Sequence, residues 1–219
     1  MSKRLRCSWR REENRLDVMR IAVLALQGAF AEHRQMLSRL HVESFEVRQL
    51  SDWLQPKDGL IIPGGESTVQ SKLLVTLGLM KPIRRAILEG LPVFGTCAGM
   101  ILLAKEIDTT VSFETLSTMD VRVVRNAYGR QLGSFHAYAS LQGIGDHLPL
   151  SFIRAPYVQR TLSPRCEVLG EVDGRVIAVR QGNQLATSFH PELDDDLRTH
   201  QYFLQMVRQS CEQKRLPQG

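Results

Sequence analysis

A cysteine between two glycines is the sequence feature that most constrains the fold of this chain. Gly95, Cys97 and Gly99 form a G-x-C-x-G pattern between two apolar runs, residues 91–94 and 100–103. The pattern is typical of a nucleophile elbow, a sharp strand-to-helix turn that exposes a reactive side chain. The glycines permit unusual backbone angles and close approach of a substrate, and a helix N-terminus favours thiolate over thiol. Taken alone, the motif is equally consistent with a buried structural cysteine.

Apolar patterns on the N-terminal side of this motif predict an α/β fold with a mainly parallel sheet, because predicted strands alternate with predicted helices. The strands are residues 20–26, 45–47, 58–63 and 91–96, and the helices are residues 30–40, 67–77 and 82–89. In such a sheet a site lies at the carboxyl ends of the strands, where Gln27, Gly65 and Cys97 are expected to gather.

The second half of the chain is predicted to be richer in strands. These are residues 121–125, 134–138, 167–172, 175–179 and 185–189. Asp173 and Gly174 are typical of a two-residue hairpin turn, so we expect an antiparallel extension of the sheet. The poorly patterned residues 108–118 are expected to form a loop, and residues 195–211 a closing helix.

Charge and cysteine spacing limit the function classes. The 219 residues carry a net charge of +5, and residues 1–19 hold six basic and three acidic side chains, or +3 of that total, so the charge indicates nucleic-acid binding only weakly. The four cysteines lack C-x-x-C spacing, which argues against a disulfide framework or zinc site and favours a reducing, cytoplasmic setting. No apolar run approaches the ~18 residues that span a membrane. We expect a disordered basic extension at residues 1–18, one domain at 19–212 and a tail at 213–219.

His190, Pro191 and Glu192 form a second informative cluster after the last predicted strand. Proline disfavours helix at the preceding residue, so His190 is expected in extended backbone. Side chains two residues apart then point the same way, and Glu192 can hold one ring nitrogen while the other faces a thiol or substrate. Together with Cys97 this arrangement predicts a catalytic triad, whereas alone it also fits a surface turn.

A third cluster, Pro-Gly-Gly-Glu-Ser at residues 63–67, follows a predicted buried strand. Paired glycines at a helix N-terminus expose backbone N–H groups that can bind an oxyanion or a carboxylate. A glycine-rich turn that only begins the helix is the alternative interpretation.

These clusters resemble those of class I, triad-type glutamine amidotransferases, and over residues 20–212 the chain is similar to the glutaminase subunits of pyridoxal 5′-phosphate synthase. The resemblance rests on Ala-Leu-Gln-Gly-Ala at 25–29, Gly-Leu-Ile-Ile-Pro-Gly-Gly-Glu-Ser-Thr at 59–68, Phe-Gly-Thr-Cys-Ala-Gly at 94–99, Arg-Asn-Ala-Tyr-Gly-Arg-Gln at 125–131, Phe-Ile-Arg-Ala-Pro at 152–156 and Ser-Phe-His-Pro-Glu-Leu at 188–193. It implies a three-layer, flavodoxin-like sheet.

The resemblance also implies hydrolysis of L-glutamine to glutamate and ammonia through a cysteine thioester. It makes Cys97 the nucleophile, with His190 and Glu192 completing the triad. The implied glutamine pocket consists of Gly65, Glu66, Ser67, Arg125, Ile153 and Arg154, and the implied oxyanion or gating residues are Gln27 and Gly64. Ammonia would pass to a separate synthase subunit in a large hetero-oligomer. No cofactor, metal, nucleic acid or membrane partner is implied.

Two other functions remain open at this point. One is a glutaminase subunit of another pathway, such as histidine or purine biosynthesis, which residues 125–131 and 152–156 argue against. The other is a non-catalytic regulatory subunit on the same fold, which the intact triad argues against. Residues 113–120 depart from the family pattern, and His136 stands where an acidic residue is common. We expect the remaining histidines, His33 and His200 among them, to be surface or packing residues, and Cys7, Cys166 and Cys211 to be free thiols.

Overall fold

The computed structural model describes residues 19–125 and 133–215. The predictions for residues 1–18, for Cys7 and for the 126–131 part of the Arg-Asn motif lie outside these ranges. The first half contains β1 (Arg20–Leu24), α1 (Phe30–Arg39), β2 (Glu43–Val47), α2 (Leu50–Trp53), β3 (Gly59–Ile62), α3 (Ser67–Thr76), α4 (Met80–Leu88), β4 (Val93–Thr96) and α5 (Ala98–Leu103).

The second half contains β5 (Ala104–Asp108), β6 (Met119–Val124), β7 (Ser134–Leu141), β8 (Gly145–Ile153), β9 (Tyr157–Thr161), β10 (Glu167–Val172), β11 (Arg175–Gln181), β12 (Gln184–Thr187), a 3₁₀ turn (Pro191–Leu193) and α6 (Arg198–Arg215). The closing helix was predicted three residues too early at its start and four too early at its end. It begins later because the Asp196 carboxylate accepts the Arg198 backbone N–H at 2.9 Å and caps it.

Ten strands form one sheet in the order β2-β1-β3-β4-β12-β11-β9-β6-β5, with β10 beside β11. The five strands from β2 to β12 are parallel, and their order is that of a flavodoxin-like sheet. Strands β11, β9 and β10 add antiparallel pairings, and β7 and β8 form a separate ribbon. The predicted α/β fold with an antiparallel extension is therefore confirmed.

Two apolar cores cover the two faces of this sheet. Ala22 and Leu24 of β1 belong to the core that includes residues of α4 and α5, whereas Ile21 and Val23 belong to the core that includes residues of α1 and α6. Successive strand residues point to opposite faces, so this division gives three layers. Because both faces are covered, residues 21–24 of β1 are an uninterrupted apolar run.

The pairing register brings the predicted site residues to one edge of the sheet. Thr96 at the end of β4 pairs with Thr187 at the end of β12, so Cys97 and the residues after β12 leave neighbouring parallel strands at the same level. Ile62 at the end of β3 pairs with Gly95, which places the glycine pair beside Cys97. The predicted gathering of these segments at the carboxyl ends is thus observed.

Candidate active site

The elbow places the unusual backbone angle on the cysteine itself. Cys97 has φ +46° and ψ −99°, and its N–H donates to the Thr187 carbonyl at 2.8 Å. Gly95 and Gly99 were predicted to permit unusual backbone angles, but in the structure they permit close packing. A Cβ on Gly99 would lie 2.2 Å from the carbonyl oxygen of Ile62, and one on Gly95 would lie 2.7 Å from the Gly99 carbonyl carbon. Both glycines are required because α5 packs directly on β3 and β4.

Cys97, His190 and Glu192 lie together and are each less than 8% exposed. Nδ1 of His190 is 2.7 Å from Oε1 of Glu192, and the Cys97 sulfur lies close enough to the same ring to raise its pKa. The His190 backbone N–H donates to the Ser151 carbonyl of β8 at 2.8 Å, which fixes the chain at this point.

The charges of this group favour a protonated His190 ring. Burial lowers the pKa of His190, but hydrogen bonds and charge from Cys97 and Glu192 outweigh burial and raise that pKa to about 10. Burial raises the pKa of Glu192 and outweighs the contact with His190, which lowers it. We assign the proton to the ring, because the ring faces an acidic group on each side. A protonated ring can stabilise a thiolate and later protonate a leaving group.

The predicted pocket residues Glu66, Arg125 and Arg154 lie close enough to act on one another. Oε1 of Glu66 accepts the Thr68 backbone N–H at 3.0 Å, and Nη2 of Arg125 is 3.3 Å from the same oxygen. Burial raises the pKa of Glu66, but these hydrogen bonds and the charges of both arginines outweigh it and lower the pKa. The Arg125 guanidinium also lies 5.2 Å over the ring of Phe113.

The other three predicted pocket residues border this group. The Ile153 carbonyl faces the Cys97 sulfur at 3.9 Å, which places residues 153 and 154 beside the elbow. Ser67 begins α3 with a buried hydroxyl that has no hydrogen-bond partner among the residues the structure describes. Gly65 is exposed beside Gln27, whose Oε1 would lie 2.3 Å from a Cβ at that position.

Gln27 and Gly64 lie at the predicted oxyanion wall, but their polar groups already have partners within the chain. The Gly64 N–H donates to Thr96 Oγ1 at 2.9 Å, and Gln27 Oε1 accepts the Glu66 N–H at 2.6 Å. Gly64 also packs against the catalytic ring, since a Cβ there would lie 2.2 Å from Cε1 of His190. In this arrangement the Gly64 N–H does not face an oxyanion, and the assigned roles of both residues remain predictions.

Sequence reasoning missed two buried histidines behind the triad. His33 and His200 are each 0% exposed, so a surface position, one of the two alternatives predicted for them, is wrong. Nε2 of His33 lies 3.4 Å from Oε2 of Glu192. The signal was present in the sequence, because His33 shares a helical face with Met36 and Leu37, which are buried on α1.

Within residues 19–125 and 133–215, no helix is long and apolar enough to cross a membrane, and no cluster of His, Cys, Asp and Glu could hold a metal ion. Cys166 is a free thiol, and the Cys211 sulfur lies 3.9 Å from Oδ1 of Asp58. Burial and nearby carboxylates raise the pKa of Cys166 to about 11, which disfavours its thiolate form at neutral pH.

The chain is similar to glutamine amidotransferase subunits over most of its length. Residues 23–209 match the SNO glutamine amidotransferase family. The chain is 58% identical over 189 residues to pyridoxal 5′-phosphate synthase subunit PdxT of Methanocorpusculum labreanum, covering 86% of this chain and 98% of that protein. It is 53% identical over 200 residues to the PdxT subunit of Streptococcus pneumoniae strain CGSP14, covering 90% and 100%.

Solved structures agree with this assignment. A crystal structure of a glutamine amidotransferase superposes with a TM-score of 0.80 at 44% identity, covering 86% of this chain and 98% of that chain. PurLQS from Thermotoga maritima shares the fold, with a TM-score of 0.61 at 16% identity, covering 86% and 99%. The extent and identity of these matches show that the chain belongs to the SNO glutamine amidotransferase family.

Proposed function

We propose that this chain hydrolyses L-glutamine to glutamate and ammonia, and that it delivers the ammonia to a separate synthase subunit that makes pyridoxal 5′-phosphate. The observation that carries the first part is the contact of Cys97, His190 and Glu192 beside a pocket of mixed charge. The second part is supported by relatives that are 53–58% identical and carry the name of that synthase's PdxT subunit.

The pocket charges fit the α-amino-acid end of glutamine. A zwitterion needs an acidic partner for its ammonium group and a basic partner for its carboxylate. Glu66 supplies the first, and Arg125 and Arg154 supply the second, at the edge where Ile153 borders the nucleophile. Bound in this orientation, glutamine extends its side-chain amide toward Cys97.

The chemistry then follows from the triad. The Cys97 thiolate attacks the amide carbon, and the imidazolium of His190 gives its proton to the departing nitrogen, which leaves as ammonia. A glutamyl thioester remains on the sulfur. His190, now neutral, takes a proton from water as the water attacks the thioester, and glutamate leaves with regeneration of the thiolate. Glu192 orients the ring and stabilises its charged form in both halves of the reaction.

A glutamine-hydrolysis assay with and without the synthase subunit tests both parts. Cys97→Ala is expected to abolish glutamate release, whereas Cys166→Ala, which alters a buried thiol outside the site, is expected to retain it. Undiminished turnover by Cys97→Ala would refute the nucleophile. Absence of both stimulation by the synthase subunit and co-purification with it would refute the proposed partner and the hetero-oligomer.

We also propose that residues 19–212 are the catalytic unit and that the basic residues 1–18 are dispensable. A chain lacking residues 2–18 is expected to hydrolyse glutamine at the rate of the full chain. A thiolate nucleophile must stay reduced, which supports the proposal of a cytoplasmic setting. The other pathways and the regulatory role considered above gain no support from the relatives, whose shared name is that of one synthase.

A further inference from the structure

We propose that His33 is a positioning residue that holds the Glu192 carboxylate in place for His190. The inference rests on the proposed glutaminase function. It extends the active site by one layer into the core, onto α1 and α6.

The two carboxylate oxygens of Glu192 face different histidines. Its Oε1 contacts Nδ1 of His190 at 2.7 Å, and its Oε2 lies 3.4 Å from Nε2 of His33. Oε2 is buried and, among the described residues, has no partner at normal hydrogen-bond distance and angle. His33 is therefore the ring placed to satisfy the oxygen that His190 does not use.

The two buried histidines form a line behind Glu192. Nδ1 of His33 is 2.9 Å from Nε2 of His200, and both rings are fully buried. Burial, together with the charges of His200 and His190, lowers the pKa of His33 well below its ordinary value, and burial lowers the pKa of His200 to about 3. Both rings are therefore neutral at pH 7, and each carries a single proton.

The tautomers of His33 and His200 follow from which of their ring nitrogens have an acceptor for a proton. If the shared proton sat on Nδ1 of His33, a lone pair on Nε2 would face the Glu192 carboxylate, and His200 would bury an N–H at Nδ1. Nδ1 of His200 has no partner within the described residues. A buried N–H without an acceptor is rarer in proteins than an unpaired acceptor. The opposite assignment directs the His200 proton to His33. It also places the His33 proton on Nε2, which lies 3.4 Å from Glu192 Oε2 and 3.2 Å from Thr96 Oγ1.

The same His33 nitrogen also contacts the strand that carries the elbow. Nε2 of His33 is 3.2 Å from Thr96 Oγ1, and that hydroxyl accepts the Gly64 N–H at 2.9 Å. His33 thus contacts two neighbours of the catalytic ring, namely its carboxylate and the hydroxyl that holds the glycine wall. The charged groups that act on Glu192 are His190 and Glu32, whereas His33 is neutral.

Two substitutions of His33 separate positioning from packing. His33→Phe fills the ring volume without a donor, and His33→Gln keeps an N–H at a similar reach. Both lose the bond to His200, so both disturb the core. We expect His33→Phe to lower kcat for glutamine about 10- to 100-fold with little change in KM, the loss typical of one charge-assisted hydrogen bond. His33→Gln should recover most of that loss, and unfolding midpoints check that both variants are folded.

A double substitution tests whether His33 acts through Glu192. In a Glu192→Gln background, His33→Phe is expected to lower kcat less than about 2-fold further, because the group it positions is already altered. The acid limb of the kcat/KM profile should also move to higher pH in His33→Phe, because the carboxylate has lost a donor. Equal losses in the Phe and Gln variants, or losses that multiply in the double variant, would overturn the inference.

Alkylation of Cys97 by iodoacetamide provides a readout that needs neither glutamine nor the synthase subunit. His33→Phe should shift the pH at which Cys97 becomes reactive to a higher value, as measured on the Cys97 peptide by mass spectrometry, and His33→Gln should not. An unchanged profile in His33→Phe contradicts the inference alone. Glutamine hydrolysis that survives Cys97→Ala contradicts the proposed function itself.

Discussion

Replacing Gly64 by alanine should inactivate the site by displacing one ring. The new Cβ would lie 2.2 Å from Cε1 and 2.9 Å from Nδ1 of His190. Carbon atoms in contact settle at about 3.5 Å, so the ring or the glycine loop must move by about 1.3 Å. The bond between Nδ1 and Glu192 is only 2.7 Å long, and a shift of that size removes it.

The expected loss follows from this displacement. A misplacement of about 1 Å at a reacting group typically lowers the rate about 100-fold. We therefore expect Gly64→Ala to reduce kcat for glutamine hydrolysis about 100-fold in an assay that includes the synthase subunit. Overpacking at such a buried position costs about 1–3 kcal/mol of unfolding free energy.

Gly78→Ala is the matched control. Gly78 has φ +68°, and among the described residues no atom outside its chain neighbours lies within 4 Å of its Cβ position, so alanine there adds backbone strain without a clash. We expect a comparable loss of unfolding free energy, about 1–2 kcal/mol, with normal kcat. Full activity of Gly64→Ala with an unchanged unfolding midpoint would refute the placement of His190 against the glycine wall.

Three further outcomes follow from other contacts. Arg125→Met should raise KM for glutamine about 10-fold with a smaller effect on kcat, in steady-state kinetics. The hydrogen bond from Lys105 lowers the pKa of Asp120. This contact therefore stabilises the fold above pH about 4, and the stabilisation is lost as the pH falls through the lowered pKa. Asp120→Asn should reduce the difference between the unfolding free energies measured in urea at pH 7 and at pH 3. Gly99→Ala, whose Cβ would lie 2.2 Å from the carbonyl oxygen of Ile62, should cost about 3 kcal/mol in the same unfolding assay.

The sequence could predict the parallel half of the fold because its signals are local. The runs that became β1, β3 and β4 are apolar on both faces, and each is followed by a helical pattern. Strands β5, β8 and β9 were not predicted. Lys105 and Glu106 interrupt the apolar pattern of β5, and Pro149 lies inside β8. Those strands depend on pairing with distant partners, which no local pattern records.

The residues of the candidate site also divide into those that a local motif predicts and those that depend on distant parts of the chain. Cys97, His190 and Glu192 were predictable because each lies in a short motif whose spacing has a chemical reason. The contact of His33 with Glu192 joins two distant parts of the chain through the closing of the sheet, and histidine is not counted as an apolar residue when a helical face is sought. Likewise, only the packing of α5 on β3 shows why position 99 must be glycine.

Covalent labelling by an electrophilic analogue of glutamine, with a diazoketone in place of the side-chain amide, tests the central claim most directly. We predict one adduct per chain, located on Cys97 by peptide mass spectrometry, slowed by excess glutamine and absent in His190→Ala. Labelling of Cys166 or Cys211 with Cys97 left free, by a preparation that hydrolyses glutamine, would contradict the claim that these residues form a glutaminase site.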